Sequence, residues 1–123
     1  MDETGWRDSA EQAGRAIARA LEATEPEAVV AELSGAGKSL DDAVREAMAA
    51  SALAGTSMRR LAEIAGMAPN SIPPRLARSK SLGPYADEGS ITSQGIAVAR
   101  YDAASGRPPM TFQPRRKNRN DKS

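Results

Sequence analysis

The chain contains no cysteine and no histidine. Without cysteine it has no disulfide, no thiolate zinc site and no thiol nucleophile. Without histidine it lacks the commonest metal ligand and the usual general base of enzymes, and no serine has a candidate triad partner. We therefore expect a protein that is not an enzyme and that binds no metal and no cofactor.

Aromatic residues are also scarce, since Trp6, Tyr85, Tyr101 and Phe112 are the whole supply. The apolar content is mostly alanine, which favours closely packed helices over a thick sheet core. No apolar run approaches the length needed to cross a bilayer, and no charged-then-apolar leader is visible at the N-terminus. These features predict a mainly all-α, cytoplasmic protein with one modest core and no small-molecule ligand.

Charge is unevenly distributed along the chain, although the net charge is only +1. Residues 1–56 contain five Lys/Arg against eleven Asp/Glu, whereas residues 57–123 contain twelve against five. An acidic half avoids DNA while a basic half attracts phosphate, so the asymmetry indicates nucleic-acid binding. An acidic solvated helix face followed by a basic tail would give the same distribution.

Three helices are predicted in the acidic half. The first covers about residues 8–23, with a stripe of Ala10, Ala13, Ile17, Ala20 and Leu21. The second begins at Pro26, carries Val29, Val30 and Leu33, and ends at the glycines of residues 34–37. The first helix could pack on the core or pair with a second copy of itself across a twofold axis, and the pattern permits both.

The third predicted helix runs from Leu40 to about Ala54, with Ser39 as its N-cap and Gly55 as its end. Its apolar stripe is typical of the first helix of a three-helix DNA-binding core. The segment before it ends in Gly-Lys-Ser but lacks the earlier glycine and the preceding buried strand of a phosphate-binding loop, so we expect no ATP site.

Residues 58–72 contain the most informative pattern. Leu61, Ile64 and Ala65 recur at helical intervals, and Thr56 or Ser57 can cap this helix. Small Ala62 would let a second helix cross closely. Gly66 follows the last periodic residue, where a turn needs a positive φ. The pattern therefore predicts a helix, a tight turn and a second helix.

The second helix of this pair is predicted to cover residues 71–80, with Ser71 as its N-cap. Pro73 and Pro74 then fall in its first turn, whose amides have no intrahelical partner. Leu76 would point inward. The predicted outward residues are Arg75, Arg78, Ser79 and Lys80. An exposed arginine at such a helix can bind guanine or clamp a phosphate.

Leu61-Ala62, Ala65-Gly66-Met67 and Ile72 resemble the helix-turn-helix of bacterial transcription regulators of the lac-repressor and Cro types. The resemblance covers residues 57–80 only, and the double proline departs from those families. It implies that the second helix enters the DNA major groove. The implied DNA-binding residues are Arg59, Arg60, Asn70, Ser71, Arg75, Arg78, Ser79 and Lys80. An ordinary helical hairpin would show the same spacing.

The residues after this motif contain a turn, an ambiguous element and a tail. Leu82 to Tyr85 is predicted to turn an aromatic ring back onto the core. We favour a helix over residues 93–104, capped by Thr92 and ended by Gly106, although the alternation there also permits a strand. Residues 87–91 could form a short wing, which would be acidic, so we do not expect it to contact phosphate. The segment from Arg107 lacks apolar periodicity, so we expect a disordered tail. Either the tail is a solubilising end with no fixed role, or its basic residues contact DNA: Arg115, Arg116, Lys117 and Arg119.

These patterns predict three parts: acidic N-terminal helices over residues 1–37, a helix-turn-helix core over residues 38–106, and a basic tail over residues 107–123. The leading hypothesis is a sequence-specific, double-stranded DNA-binding protein, most plausibly a small bacterial transcriptional regulator. The sequence permits a homodimer but does not decide the oligomeric state. One alternative is a protein-interaction module such as an antitoxin or adaptor. The other is a phage or plasmid DNA-maintenance protein.

Overall fold

A computed structural model describes residues 4–106, which form five α-helices and no β-strand. The helices are α1 (Thr4–Glu22), α2 (Pro26–Leu53), α3 (Met58–Ala65), α4 (Ile72–Ala77) and α5 (Ser93–Ala104). Short 3₁₀ turns cover Pro69–Ser71 and Gly83–Tyr85. The prediction of a mainly all-α protein is therefore confirmed for the described residues.

Two compact units divide the chain between Ala47 and Met48. The division lies within α2, ten residues beyond the predicted boundary at residues 37/38. In the described residues the first unit, 4–47, has five Lys/Arg and nine Asp/Glu, whereas the second, 48–106, has six and four. The acidic and basic character of the sequence thus follows the two units.

α2 is one helix where the sequence predicted two. Gly35 and Gly37, the predicted helix end, lie in its interior, and so does Ser39, the predicted N-cap. A glycine costs a helix only about 0.5–1 kcal/mol relative to alanine. Packing offsets that cost here, because Ala36 and Ala43 on the same helix are buried. The Gly-Lys-Ser segment is therefore helical and is not a loop.

The first unit is an antiparallel helical hairpin. Near its turn, Arg19 Nε donates to Glu32 Oε1 at 2.9 Å. Towards its other end, a Cβ on Gly5 would lie 3.8 Å from Glu46 Cγ. The buried positions between the helices are small: Ala13, Ala16 and Ala20 on α1, and Ala36 and Ala43 on α2. Alanine allows the two helices to approach closely.

Several larger apolar residues on the predicted stripes of this unit are exposed: Ile17, Leu21, Val30, Leu33 and Leu40. A periodic stripe does not say which of its members reach the neighbouring helix. α1 also begins at Thr4, one turn earlier than predicted. The hairpin core is consequently made of alanine, and its leucines face solvent.

The second unit has the larger side chains in its core. Its buried apolar residues are Met48, Ala49, Ala52, Leu61, Ala62, Ile72, Leu76, Leu82, Tyr85, Ile91, Ile96 and Ala99. α2 ends just before Gly55, whose φ is +115°, as predicted. α3 contacts the first 3₁₀ turn and α4, and α4 and α5 both contact the second 3₁₀ turn.

The final part of this unit confirms the helix that we favoured over a strand. Thr92 Oγ1 accepts from the Gly95 amide at 3.0 Å and caps α5, and Gly106 follows the helix with a φ of +71°. The predicted wing is reduced to one isolated bridge between Asp87 and Ser90. Two residues with positive φ separate these partners, so the chain reverses before any ladder can form.

Candidate nucleic-acid interface

α3 begins as the sequence predicts, but its predicted apolar stripe is only partly buried, because Ile64 is 63% exposed. Ser57 has an extended conformation, and its Oγ accepts from the Arg60 amide at 3.1 Å. This bond satisfies one of the free amides of the first turn. Leu61 and Ala62 are buried. Arg59 and Arg60 are exposed, and Arg60 forms an exposed ion pair with Glu63 at 3.0 Å.

The turn after α3 is a Schellman motif centred on Gly66. Gly66 has φ +69° and ψ +35°, the left-handed region. The Met67 amide donates to Ala62 O at 3.0 Å, and the Gly66 amide donates to Glu63 O at 3.4 Å. These bonds satisfy two carbonyls at the helix end. The turn directs the chain into the second helix, as the sequence predicted.

The second helix starts later and ends earlier than predicted. Pro69–Ser71 form a 3₁₀ turn, and α4 covers only Ile72–Ala77. Pro73 and Pro74 occupy its first turn, as expected. Ser71 is not an N-cap, because its φ of −81° and ψ of −17° are helical while a cap needs an extended conformation. Ile72 and Leu76 are completely buried and attach α4 to the core.

Ser79 is not on the exposed surface, and its assignment to the DNA-binding face was wrong. It is 3% exposed, its Oγ donates to Leu76 O at 2.7 Å, and the same Oγ accepts from the Leu82 amide at 3.0 Å. The hydroxyl therefore closes the C-terminal end of α4. The sequence showed only a serine between two basic residues, and the bonds depend on how the chain turns after Ala77.

The remaining predicted residues of this region reach solvent. Asn70, Ser71, Arg78 and Lys80 are exposed, and Arg75 is half-buried. Arg78 is the C-cap residue of α4, and Lys80 lies in the turn beyond it. The helix of Arg59 and Arg60, α3, is in contact with α4 and with the 3₁₀ turn of Asn70 and Ser71. Arg115, Arg116, Lys117 and Arg119 lie outside the described residues.

A buried hydrogen bond joins α5 to the 3₁₀ turn of Gly83–Tyr85, which α4 contacts. Tyr85 Oη donates to Asp102 Oδ2 at 2.7 Å, and Asp102 is 3% exposed. Gly95 is packed against the same turn, because a Cβ there would lie 3.0 Å from Tyr85 O. The sequence predicted the return of Tyr85 to the core but not its partner, since a lone aspartate on α5 has no pattern of its own. Together these contacts hold α5 to the 3₁₀ turn that α4 contacts.

Arg100 is a basic residue that the sequence analysis did not single out. It is exposed on α5, and its Nη2 lies 3.7 Å from the position of a Cβ on Gly55. Gly55, just after the C-terminal end of α2, is therefore close to the Arg100 side chain of α5. This cation belongs to the basic second unit, although no sequence motif marks it.

The first unit has a groove of about 300 Å³, lined by Gln12, Arg15, Ala16, Arg19, Glu32, Gly35 and Ser39. The Arg19–Glu32 ion pair crosses it. Within residues 4–106, no group of three or more acidic side chains is placed to hold a metal ion. No helix in that part of the chain combines the length and apolarity needed to cross a membrane.

Comparisons with protein families, curated proteins and solved structures find no match to this chain. The candidate site is therefore defined by its geometry alone: a capped helix, a left-handed glycine turn and a short second helix with basic residues at its C-terminal end.

Proposed function

We propose that this chain is a cytoplasmic, sequence-specific DNA-binding protein, and specifically a small bacterial transcriptional regulator and not an enzyme. The observation that carries the proposal is the arrangement of α3, the Gly66 turn and α4. The inner faces of these helices are buried through Leu61–Ala62 and Ile72–Leu76. This packing supports the proposal of a helix-turn-helix, in which the second helix would bind in the major groove.

The basic residues then divide into two roles. Arg75, Arg78 and Lys80, from the end of α4 and the following turn, contact base edges or the flanking phosphates. Arg59 and Arg60 contribute sequence-independent attraction to phosphate, as does the basic segment at residues 115–119. Asn70 and Ser71 are exposed just before α4. In this proposal they lie near the DNA backbone.

The shortness of α4 bears on stoichiometry. Six residues form fewer than two helical turns, so one helix reads few base pairs. Regulators with this motif commonly bind as dimers to two half-sites one helical turn apart. We propose a homodimer for the same reason.

Binding is tested by fluorescence anisotropy of the full chain with duplex DNA. The probes are the region upstream of its own gene and a shuffled duplex of the same composition, each at low and physiological salt. A preference for the upstream probe that persists at physiological salt supports a regulator. Equal binding that disappears with salt contradicts sequence specificity, because only the phosphate contribution falls so steeply.

The recognition residues are tested with the double variant Arg75→Ala/Arg78→Ala. Each arginine that forks onto a guanine contributes about 1–3 kcal/mol of discrimination, so the variant should bind the preferred duplex at least about 30-fold more weakly. The matched control is Arg15→Ala/Lys38→Ala, which removes the same charge from exposed positions of the acidic unit. Unchanged affinity in the Arg75/Arg78 variant would rule out α4 as the recognition element.

The competing function is a protein-interaction module such as an antitoxin or adaptor. It is favoured by one observation, the exposure of large apolar residues on the first unit. Absence of DNA binding at low salt would support this function over the regulator.

A further inference from the structure

The helical hairpin of the first unit exposes an unusual amount of apolar side chain. Leu21 is 82% exposed, Leu40 51%, Leu33 49% and Ile17 42%. Scattered single apolar residues are normal on a protein surface, whereas a contiguous group indicates a binding surface. The question is therefore whether these residues lie together.

Helical geometry places them on one side of the hairpin. The groove defines the opposite side, because it is lined by Gln12, Arg15 and Arg19 of α1 and by Glu32, Gly35 and Ser39 of α2. Successive residues of a helix are about 100° apart. Ile17 lies two positions from both Arg15 and Arg19, so it points about half a turn away from the groove.

The same relation holds for the other members. Leu21 is two positions beyond Arg19 and so lies about half a turn from it. Leu33 lies about half a turn from Gly35 and about 100° from Glu32, and so points away from the groove on α2. Leu40 and half-buried Val44 continue the stripe of Leu33 along α2. We call Ile17, Leu21, Leu33, Leu40 and Val44 the apolar face.

The spacing on α2 indicates what this face binds. Val30, Leu33, Gly37, Leu40 and Val44 are separated by alternating steps of three and four residues, which is a heptad pattern. A regular seven-residue spacing is suited to the side of another helix, because it keeps a straight seam facing the partner. None of these five positions has a charge, in contrast to the groove on the other side.

We propose that the apolar face binds the apolar face of a second copy of this chain, so that two hairpins form a four-helix arrangement across a twofold axis. Such an interface is self-complementary, as twofold symmetry requires. α1 is about 28 Å long. Packed helices lie roughly 9 Å apart, so two helices side by side are about 18 Å wide, and the hairpin presents a projected area of about 500 Å². The accessible area of a ridged helix surface exceeds its projection, which brings it near the ≈ 800 Å² per partner of a stable interface.

Sedimentation velocity of the full chain without DNA tests the proposal over a wide micromolar concentration range. We expect a dimer that dissociates on dilution. The variant Leu33→Asp/Leu40→Asp should be monomeric, because dimerisation would bury two unpaired charges. The matched control, Ala31→Asp/Ser34→Asp, adds the same charge at exposed positions of α2 outside the face and should stay dimeric.

Circular dichroism confirms that each variant keeps its helices. If the aspartates unfold the hairpin, Leu33→Ala/Leu40→Ala replaces them and should raise the dimer dissociation constant at least about tenfold. A monomeric wild type, or a dimer that tolerates both substitutions at the face, overturns the proposal. Because no DNA is present, the experiment tests dimerisation separately from DNA binding. A monomeric wild type would contradict the apolar face as an interface and the homodimer proposed above, but not DNA binding itself, because a monomer can bind a single half-site.

Discussion

Replacement of Gly66 by alanine probes the turn between α3 and α4 through the backbone alone. Gly66 has φ +69°, and a Cβ added there would meet no atom within 4 Å. The substitution therefore creates no steric overlap and removes no contact. Its cost is that of holding an L-residue in the left-handed region, about 1–2 kcal/mol. Gly66→Asn should cost less, since asparagine tolerates this conformation better.

Gly35→Ala is the matched comparison. A Cβ at Gly35 would also meet nothing within 4 Å, but this glycine lies inside α2 and has no positive φ. Alanine restricts the unfolded chain and suits a helix interior, so the substitution should stabilise the protein by about 0.5–1 kcal/mol. The two glycine-to-alanine substitutions, neither of which creates a contact within 4 Å, are thus expected to change the free energy of unfolding in opposite directions.

Urea unfolding followed by circular dichroism measures both effects. Thermal melting gives a second readout, with a shift of about 4–8 °C for each kcal/mol in a domain of 60–100 residues. A neutral or stabilising Gly66→Ala would refute the left-handed turn on which the helix-turn-helix depends. A destabilising Gly35→Ala would refute the continuous α2 and restore the two shorter helices that the sequence predicted.

Two further substitutions probe the support of the same region. Tyr85→Phe removes the 2.7 Å hydrogen bond that Tyr85 donates to buried Asp102. It should lower the free energy of unfolding in urea by about 1–3 kcal/mol. Tyr101→Phe, at an exposed position, is the control and should change the free energy of unfolding by less than about 0.5 kcal/mol. Ser57→Ala removes the side-chain acceptor of the Arg60 amide and should lower the free energy of unfolding by about 1 kcal/mol. Ser57→Asp keeps an acceptor and should be about as stable as the wild type. A Ser57→Ala variant as stable as the wild type would show that this cap does not stabilise α3.

The region from α3 to α4 was predictable because its determinants are local. Ser57, Gly66 and Pro73 each act through the conformation of their own backbone or through a bond three residues away, so the sequence alone identified the cap, the turn and the first-turn prolines. Thr92 determined the start of α5 in the same way. Composition was similarly sufficient for the mainly helical class, since alanine is the best helix former.

Tertiary contacts decided what local patterns left open or indicated wrongly. Gly35 and Gly37 are unfavourable in a helix, yet packing of Ala36 between them keeps α2 continuous. Ser79 is buried because the chain turns back after Ala77 and brings the Leu82 amide to its hydroxyl. Asp102 accepts a hydrogen bond from Tyr85 because α5 packs on the 3₁₀ turn that contains Tyr85.

The apolar face shows the same division. The sequence by itself determined that α1 and α2 carry apolar residues at helical spacing. Only the packing of the hairpin decided that alanines fill the space between the helices and that Leu33 and Leu40 remain outside. The physical reason is that periodicity specifies a direction around one helix axis, whereas burial depends on where the neighbouring helix lies and how closely it approaches.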